Sequence, residues 1–344
     1  MKSILKNFGG SIALTLLCFC LAGWWGAREP LGPWTAVWLV VVLSVLEVSL
    51  SFDNAVVNAK VLKDMNAFWR TAFLTVGMII AVFGMRLVFP IVIVAVSADI
   101  SMADTVSMAL NSPEQYGVTL NQSYPVISAF GGAFLLLVFL NFMFDHEKET
   151  HWLGLLEEPL TKIARFREIS VFLALIVIFS SLWWVEEKNQ MRVFVAGVAG
   201  IILYLAVDAV GALFDGEGES EAVVGAVKRA GFASFLYLEV LDASFSFDGV
   251  IGAFAITKDV VIIMLGLAVG AMFVRSMTIY LVNKGTLSEY VFLDHGAHYA
   301  IGALALIMIS GLHLPEFVTG LVGVGFIVAS LVSSNRHRAT AALA

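Results

Sequence analysis

The chain has 344 residues, 60% of them hydrophobic and only 14% charged, with a formal net charge of −7. That composition excludes an ordinary water-soluble domain, while the acidic balance says little about partners, and no nucleic-acid partner is expected. The apolar runs are continuous rather than alternating, so the expected class is an all-α polytopic membrane protein and not a barrel.

Runs of about 18 or more mainly apolar residues predict ten transmembrane helices, near 11–27, 35–58, 71–97, 125–144, 169–185, 192–214, 231–256, 260–282, 297–313 and 317–333. The first span follows Lys2 and Lys6 and also fits a signal peptide, but no small-x-small cleavage site follows it, which favours a retained anchor. Cys18 and Cys20 both fall in that span and give no disulfide framework. The longest outer loop, 98–124, carries Asp99, Asp104 and Glu114 with no basic residue, and is expected to be solvated.

With the N-terminus inside, fourteen Lys and Arg fall in cytoplasmic segments and four (Arg28, Lys188, Arg192 and Lys258) outside, while Arg86 and Arg275 lie within spans. This bias places both termini in the cytoplasm. The chain then divides into an N-terminal span (1–34), a first repeat (35–146), a cytoplasmic loop with two linking spans (147–230), a second repeat (231–313) and a last span with its tail (314–344).

The word repeat rests on particular residues. LEVSLSFDN (46–54) aligns with LDASFSFDG (241–249) at a spacing of 195 positions, Glu47 falling on Asp242 and Ser-Phe-Asp on itself. In the next span of each half, GMIIAVFGMRLVFPIVIV (77–94) aligns with GLAVGAMFVRSMTIYLVN (266–283), placing Arg86 on Arg275. The copies lie on the second and seventh spans, an odd number of crossings apart, so they thread the membrane in opposite directions. Two inverted three-helix repeats with a site near the midplane are expected.

Six acids fall inside spans: Glu47, Asp53, Asp208, Glu239, Asp242 and Asp248. An Asp at a helix centre costs about 2.5–3.5 kcal/mol on insertion scales, so these groups need compensation, and Arg86 and Arg275 neutralise two at most. Carboxylate and amide oxygens suit hard divalent cations such as Mn²⁺, Mg²⁺ or Ca²⁺, and no thiolate or histidine lies in the repeated motif. On a continuous helix Glu47, Ser51, Asn54 and Asn58 share a face while Asp53 points about 120° away. Either each Asp serves a neighbouring face, or the helix breaks near Ser-Phe-Asp; Gly249 and Gly252 favour a break in the second copy. A structural network of acids with Arg86 and Arg275 as fixed counter-charges is the plainer account.

His146 and His151 flank one segment, and His295 and His298 sit three apart in DHGAH. Such spacing occurs in zinc sites, but both pairs fall at a membrane edge, where packing is the simpler role and delivery of ions to a pore the functional one.

LEVSLSFDNAVV, LDASFSFDGVIGAFAIT and DHGAHYAIGALA together resemble the TerC family of bacterial integral membrane proteins, in particular members with the FDG form of the motif and a DHEKETHWL segment. The resemblance covers most of residues 35 to 312 and implies the bacterial inner membrane, metal homeostasis, manganese efflux and tellurite resistance. It implies ion-binding positions at Glu47, Asp53, Asn54, Asp242 and Asp248, with Glu239, Asp208, Arg86, Arg275, His146, His295 and His298 in support. Gly249 departs from it, standing where the first half has Asn54.

The expected function is a secondary transporter-like exporter of a hard divalent cation, Mn²⁺ first, carried as substrate with no tightly bound cofactor. No GxxxxGK[ST] pattern is present, so energy would come from a gradient. The expected partners are the lipid bilayer and the ion, with homo-oligomerisation left open. A membrane-embedded metalloenzyme built on the four histidines and a non-transporting stress-response scaffold are the alternatives.

Overall fold

In a computed structural model the backbone is described over residues 2–145, 148, 150–163, 168–215, 223–284, 289–311 and 314–341, and His146 lies outside the described residues. Every regular element among them is helical. The helices are α1 (Lys2–Gly26), α2 (Pro33–Leu50), α3 (Phe52–Asp64), α4 (Ala67–Ala72), α5 (Phe89–Ala98), α6 (Met102–Asn111) and α7 (Pro113–Met143). They continue with α8 (Gly154–Ile163), α9 (Ile169–Ser181), α10 (Glu187–Asp215), α11 (Val223–Ile256), α12 (Val260–Lys284), α13 (Leu293–Ser310) and α14 (Glu316–Ala341).

Seven helical stretches among the described residues are long and apolar enough to cross a bilayer, namely Phe8–Gly26, Pro33–Leu50, Ala67–Val96, Pro113–Met143, Glu187–Val210, Val260–Lys284 and Val318–Arg338. The chain is therefore an integral membrane protein by its helices. α9 covers part of the expected 169–185 span, but its 13 residues reach only about 20 Å at 1.5 Å per residue. Trp34, Trp38, Trp183 and Trp184 are exposed near helix ends, where amphipathic rings suit a headgroup region.

Three expectations about local structure change. The segment read as a solvated loop, 98–124, is mostly helix: α6 begins at Ser101, whose Oγ accepts the Asp104 N–H at 3.1 Å, and α7 begins at Pro113. A Ser followed three residues later by Asp is a helix start, and Pro suits a first turn. The third span passes through two wide-turned π stretches, Phe73–Gly77 and Ile80–Val88, before α5; such turns are rare and concentrate at functional positions. Last, the break expected in the second copy is found in the first: α2 ends at Leu50 and α3 starts at Phe52, whereas α11 runs unbroken through residues 241–249.

Packing relies on glycine, because helices in lipid gain from close backbone approach rather than from hydrophobic burial. α7 is the central post, packed against α9, α10, α11 and α13. Its Gly132 faces Ala305, Met308 and Ile309 of α13, and Gly200 of α10 lies against the Phe130 carbonyl. α12 packs on α1, α2 and α3, with Gly266 and Gly270 against Leu43 and Glu47. Two apolar clusters result, one around Phe134, Leu135 and Leu241 and one around Leu43, Ile262 and Leu267.

Candidate functional site

The kink at Ser51 sits between two buried acids. Ser51 adopts φ −107° and ψ 15° and keeps its N–H on the Glu47 carbonyl at 3.0 Å. Its hydroxyl donates to Glu47 Oε1 at 2.9 Å, so the side chain serves the carboxylate rather than the helix backbone. Two residues on, the Asp53 carboxylate accepts the Asn54 N–H at 3.0 Å in the first turn of α3, where helix N–H groups favour negative charge.

Arg86, 6% exposed, reaches Glu47 from the second π stretch: Nη2 donates to Oε1 at 2.5 Å, and Nη1 to the Ala81 carbonyl at 2.7 Å. Glu47 is itself 1% exposed. Its stem lies against Gly270, and a Cβ added at Gly249 would stand 2.7 Å from its Oε2. The departure of Gly249 from the motif thereby has a physical reason: a side chain there would collide with the carboxylate across from it.

Asn54 Nδ2 donates to Asp242 Oδ1 at 2.5 Å, joining the two copies of the motif across 188 residues of chain. A cavity of about 30 Å³ opens beside this contact, lined among others by Ser51, Asn58, Arg86, Asp242, Arg275 and Thr278. That is room for a water or one ion rather than an organic molecule. Asn58 Oδ1 on the cavity and Asn54 Oδ1 beside Asp242 are both buried without a hydrogen-bond partner among the described residues. Arg275 faces the same cavity; its Nη1 approaches Met272 Sδ at 4.0 Å, and its Nε has no acceptor.

Asp53 goes elsewhere. It lines a second small cavity with Ser49, Phe245, Ala300, Thr319 and Gly323, and has no ion-pair partner among the described residues. Glu239, 7% exposed, packs its Oε1 against Gly77 with both oxygens unpartnered. Asp208 is exposed on α10 and lines neither cavity. The side chain of Asp248 lies outside the described residues. Among the described residues no group of three or more His, Cys, Asp or Glu is arranged to hold a metal ion. Glu47, Asn54 and Asp242 are thus brought together, with Arg86 among them, and Asp53 is set apart.

The histidines belong to a different region, at the start of α13. His298 stacks on Phe142 at 3.8 Å, with Nδ1 2.9 Å from the Asp294 carbonyl and 3.2 Å from its Oδ1. Lys60 of α3 pairs with Asp294 at 2.7 Å. His295 Nε2 lies 2.9 Å from the Thr150 carbonyl and 3.5 Å from Glu157 Oε2, and Lys148 pairs with that same oxygen at 2.8 Å. Glu157 Oε2 and Asp294 Oδ1 lack hydrogen-bond geometry, yet a cation stands beside each, so both are charge-compensated. Burial alone would raise the Glu157 carboxyl, but the approach of His295 and Lys148 and the hydrogen bond from the Leu153 N–H hold it well below the usual carboxylate range. Asp294 likewise is raised by burial and lowered further by His298 and Lys60, ending below its ordinary value. His151 makes no ion pair among the described residues, and neither cavity is lined by His295 or His298.

Sequence reasoning missed Lys60, Lys148 and Glu157. A lysine and a glutamate in polar segments look like solvated charges, and only the fold brings Lys148 and Glu157 under α13. Residues 52–340 match the family described as Protein of unknown function (DUF475). No curated protein and no solved structure matches the chain.

Proposed function

We propose that this chain, which belongs to the family of that description, is a secondary transporter-like exporter of a hard divalent cation, Mn²⁺ first, with ten crossings and two inverted repeats. The observation that carries the reading is a cavity lined by Asp242 and by Asn58, whose Oδ1 is unpartnered among the described residues, with the unpartnered Oδ1 of Asn54 next to Asp242. Hard oxygen donors without competing hydrogen bonds favour a cation of this class. Arg86 is committed to Glu47, which leaves Asp242 as the charge available to an ion.

The repeats are supported by matched contacts. Asn54 meets Asp242, and their counterparts Gly249 and Glu47 meet in turn. Gly77 meets Glu239, while its counterpart Gly266 accepts a hydrogen bond on its carbonyl from Ser44, the counterpart of Glu239, at 3.0 Å. Asp53, and Asp248 by repetition of the motif, would be further stations on the ion's path. The resemblance to the TerC family points the same way, and the proposal includes the bacterial inner membrane with both termini in the cytoplasm.

Mn²⁺ uptake into vesicles containing the purified full-length protein tests the reading. Asp242→Asn and Asp53→Asn are each expected to lower flux by about tenfold or more, because each removes a charge from the ion's path. His298→Ala is expected to leave flux in place. Flux that survives both aspartate substitutions would overturn the proposal. The Glu47–Arg86 pair favours a second reading, a charge-balanced network in a non-transporting membrane protein, and that reading predicts no flux of any divalent ion.

A further inference from the structure

The two copies of the motif hold different conformations, and the difference is systematic. In the first copy the helix is kinked at Ser51 and its acid, Glu47, is paired with its arginine, Arg86. In the second the helix is unbroken through Ser246, and Asp242 is bonded by Asn54 while Arg275 is paired with no carboxylate among the described residues.

The cavity follows the same asymmetry. Its walls from the first half include Asn58, Phe73, Leu74, Met78 and Arg86. At the spacings of 195 and 189 that align Glu47 with Asp242 and Arg86 with Arg275, the counterparts are Ala253, Ile262, Ile263, Leu267 and Arg275. Ala253, Ile262, Ile263 and Leu267 are 0–2% exposed inside an apolar cluster. One half therefore opens where its counterpart is packed shut.

Resting on the inverted-repeat transporter reading, we propose that Arg275 is the counter-charge Asp242 takes in an oppositely open state, in which the Glu47–Arg86 pair has parted. Two oppositely threaded copies of one sequence reach each other's conformation when the halves exchange roles. In that exchange α11 kinks at Ser246, α2 and α3 straighten at Ser51, and the cavity closes around Asn58 while it opens around Ala253. Arg275 already lines the shared cavity with Asp242 and has only a thioether to leave. The exchange forms one arginine–carboxylate pair as it parts the other, so each end state holds one such pair. Arg275 acts here as a positioning residue, since it selects the state and need not touch the ion.

The test uses single cysteines, Asn58→Cys or Ala253→Cys, in full-length protein with Cys18 and Cys20 changed to alanine. The protein is reconstituted in vesicles and labelled by a small charged thiol reagent. Arg275→Met is expected to lower labelling at position 253 by about tenfold, and Arg86→Met to raise it by about as much while lowering labelling at 58, as a two-state equilibrium requires. Arg275→Lys, which keeps the charge, is expected to label like the parent and shows that any loss is not misfolding. Labelling at 253 that ignores both methionine substitutions, or rises with Arg275→Met, would overturn the exchange. Mn²⁺ flux in the same vesicles separates the two readings. Flux with unresponsive labelling ends the exchange alone, and responsive labelling without flux supports the exchange while ending the transport of that ion.

Discussion

The cluster around Glu47 and Asp242 and the edge cluster at the start of α13 use the same kinds of side chain differently. At the edge each carboxylate has its lysine, Lys60 on Asp294 and Lys148 on Glu157, with His298 and His295 beside them. Around Glu47 and Asp242, Asn54, Asn58 and Glu239 present oxygens without a hydrogen-bond partner among the described residues, and Arg86 is committed to Glu47. Balanced charge fastens elements together, while buried acceptors without a partner are costly unless something answers them. In the proposed function a cation is what answers them.

Three substitutions sharpen that contrast. The largest effect is expected from Arg86→Met, which strands the Glu47 carboxylate at 1% exposure; the loss is about 3–5 kcal/mol, read as the unfolding midpoint in detergent. Glu47→Gln added to it should restore much of the stability, and a single variant as stable as the parent would show that the pair holds nothing.

At the edge, Glu157→Gln removes the counter-charge of Lys148 and should cost about 1.5–3 kcal/mol. Here the sign of the acid response is set by charge. Glu157 and Asp294 titrate lower in the fold than in the unfolded chain, so the unfolded chain binds more protons on acidification. Their contribution is complete at neutral pH and fades as pH falls below roughly 4. Melting curves of parent and Glu157→Gln should therefore converge in acid, and a gap that stays constant with pH would contradict the assignment. Lys188→Ala gives the smallest effect, within about 1 kcal/mol, because its 2.8 Å pair with Glu186 is exposed on both sides.

Much of this was legible in the sequence, for identifiable reasons. Glu47, Ser51, Asn54 and Asn58 were placed on one face by helical spacing, and the structure keeps Ser51 and Asn58 on the cavity with Asn54 on Asp242 despite the kink. The same spacing sent Asp53 elsewhere, and it lines the other cavity. The position of the kink was not legible, because the glycine that suggested it, Gly249, is needed for the approach of Glu47 rather than for a bend. The serine that does bend carries no local signal, since its bond to Glu47 is meaningful only once Arg86 has fixed that carboxylate. α6 was legible through Ser101 and Asp104, but a reading built on apolar runs passes over polar helices. The edge cluster depends on residues that only tertiary folding makes neighbours.

The geometry of α3 has a mechanical consequence. It is articulated at Ser51 and stapled near its other end, where Lys60 grips Asp294 and Arg70 holds the carbonyls of Leu62 and Lys63. Its 13 residues make a strut of roughly 20 Å, so a swing of about 10° at Ser51 carries the far tip about 3 Å. That throw is comparable to the 2.7 Å separating Lys60 from Asp294, and a modest rotation at Ser51 is enough to unlatch a salt bridge near the far end of the helix.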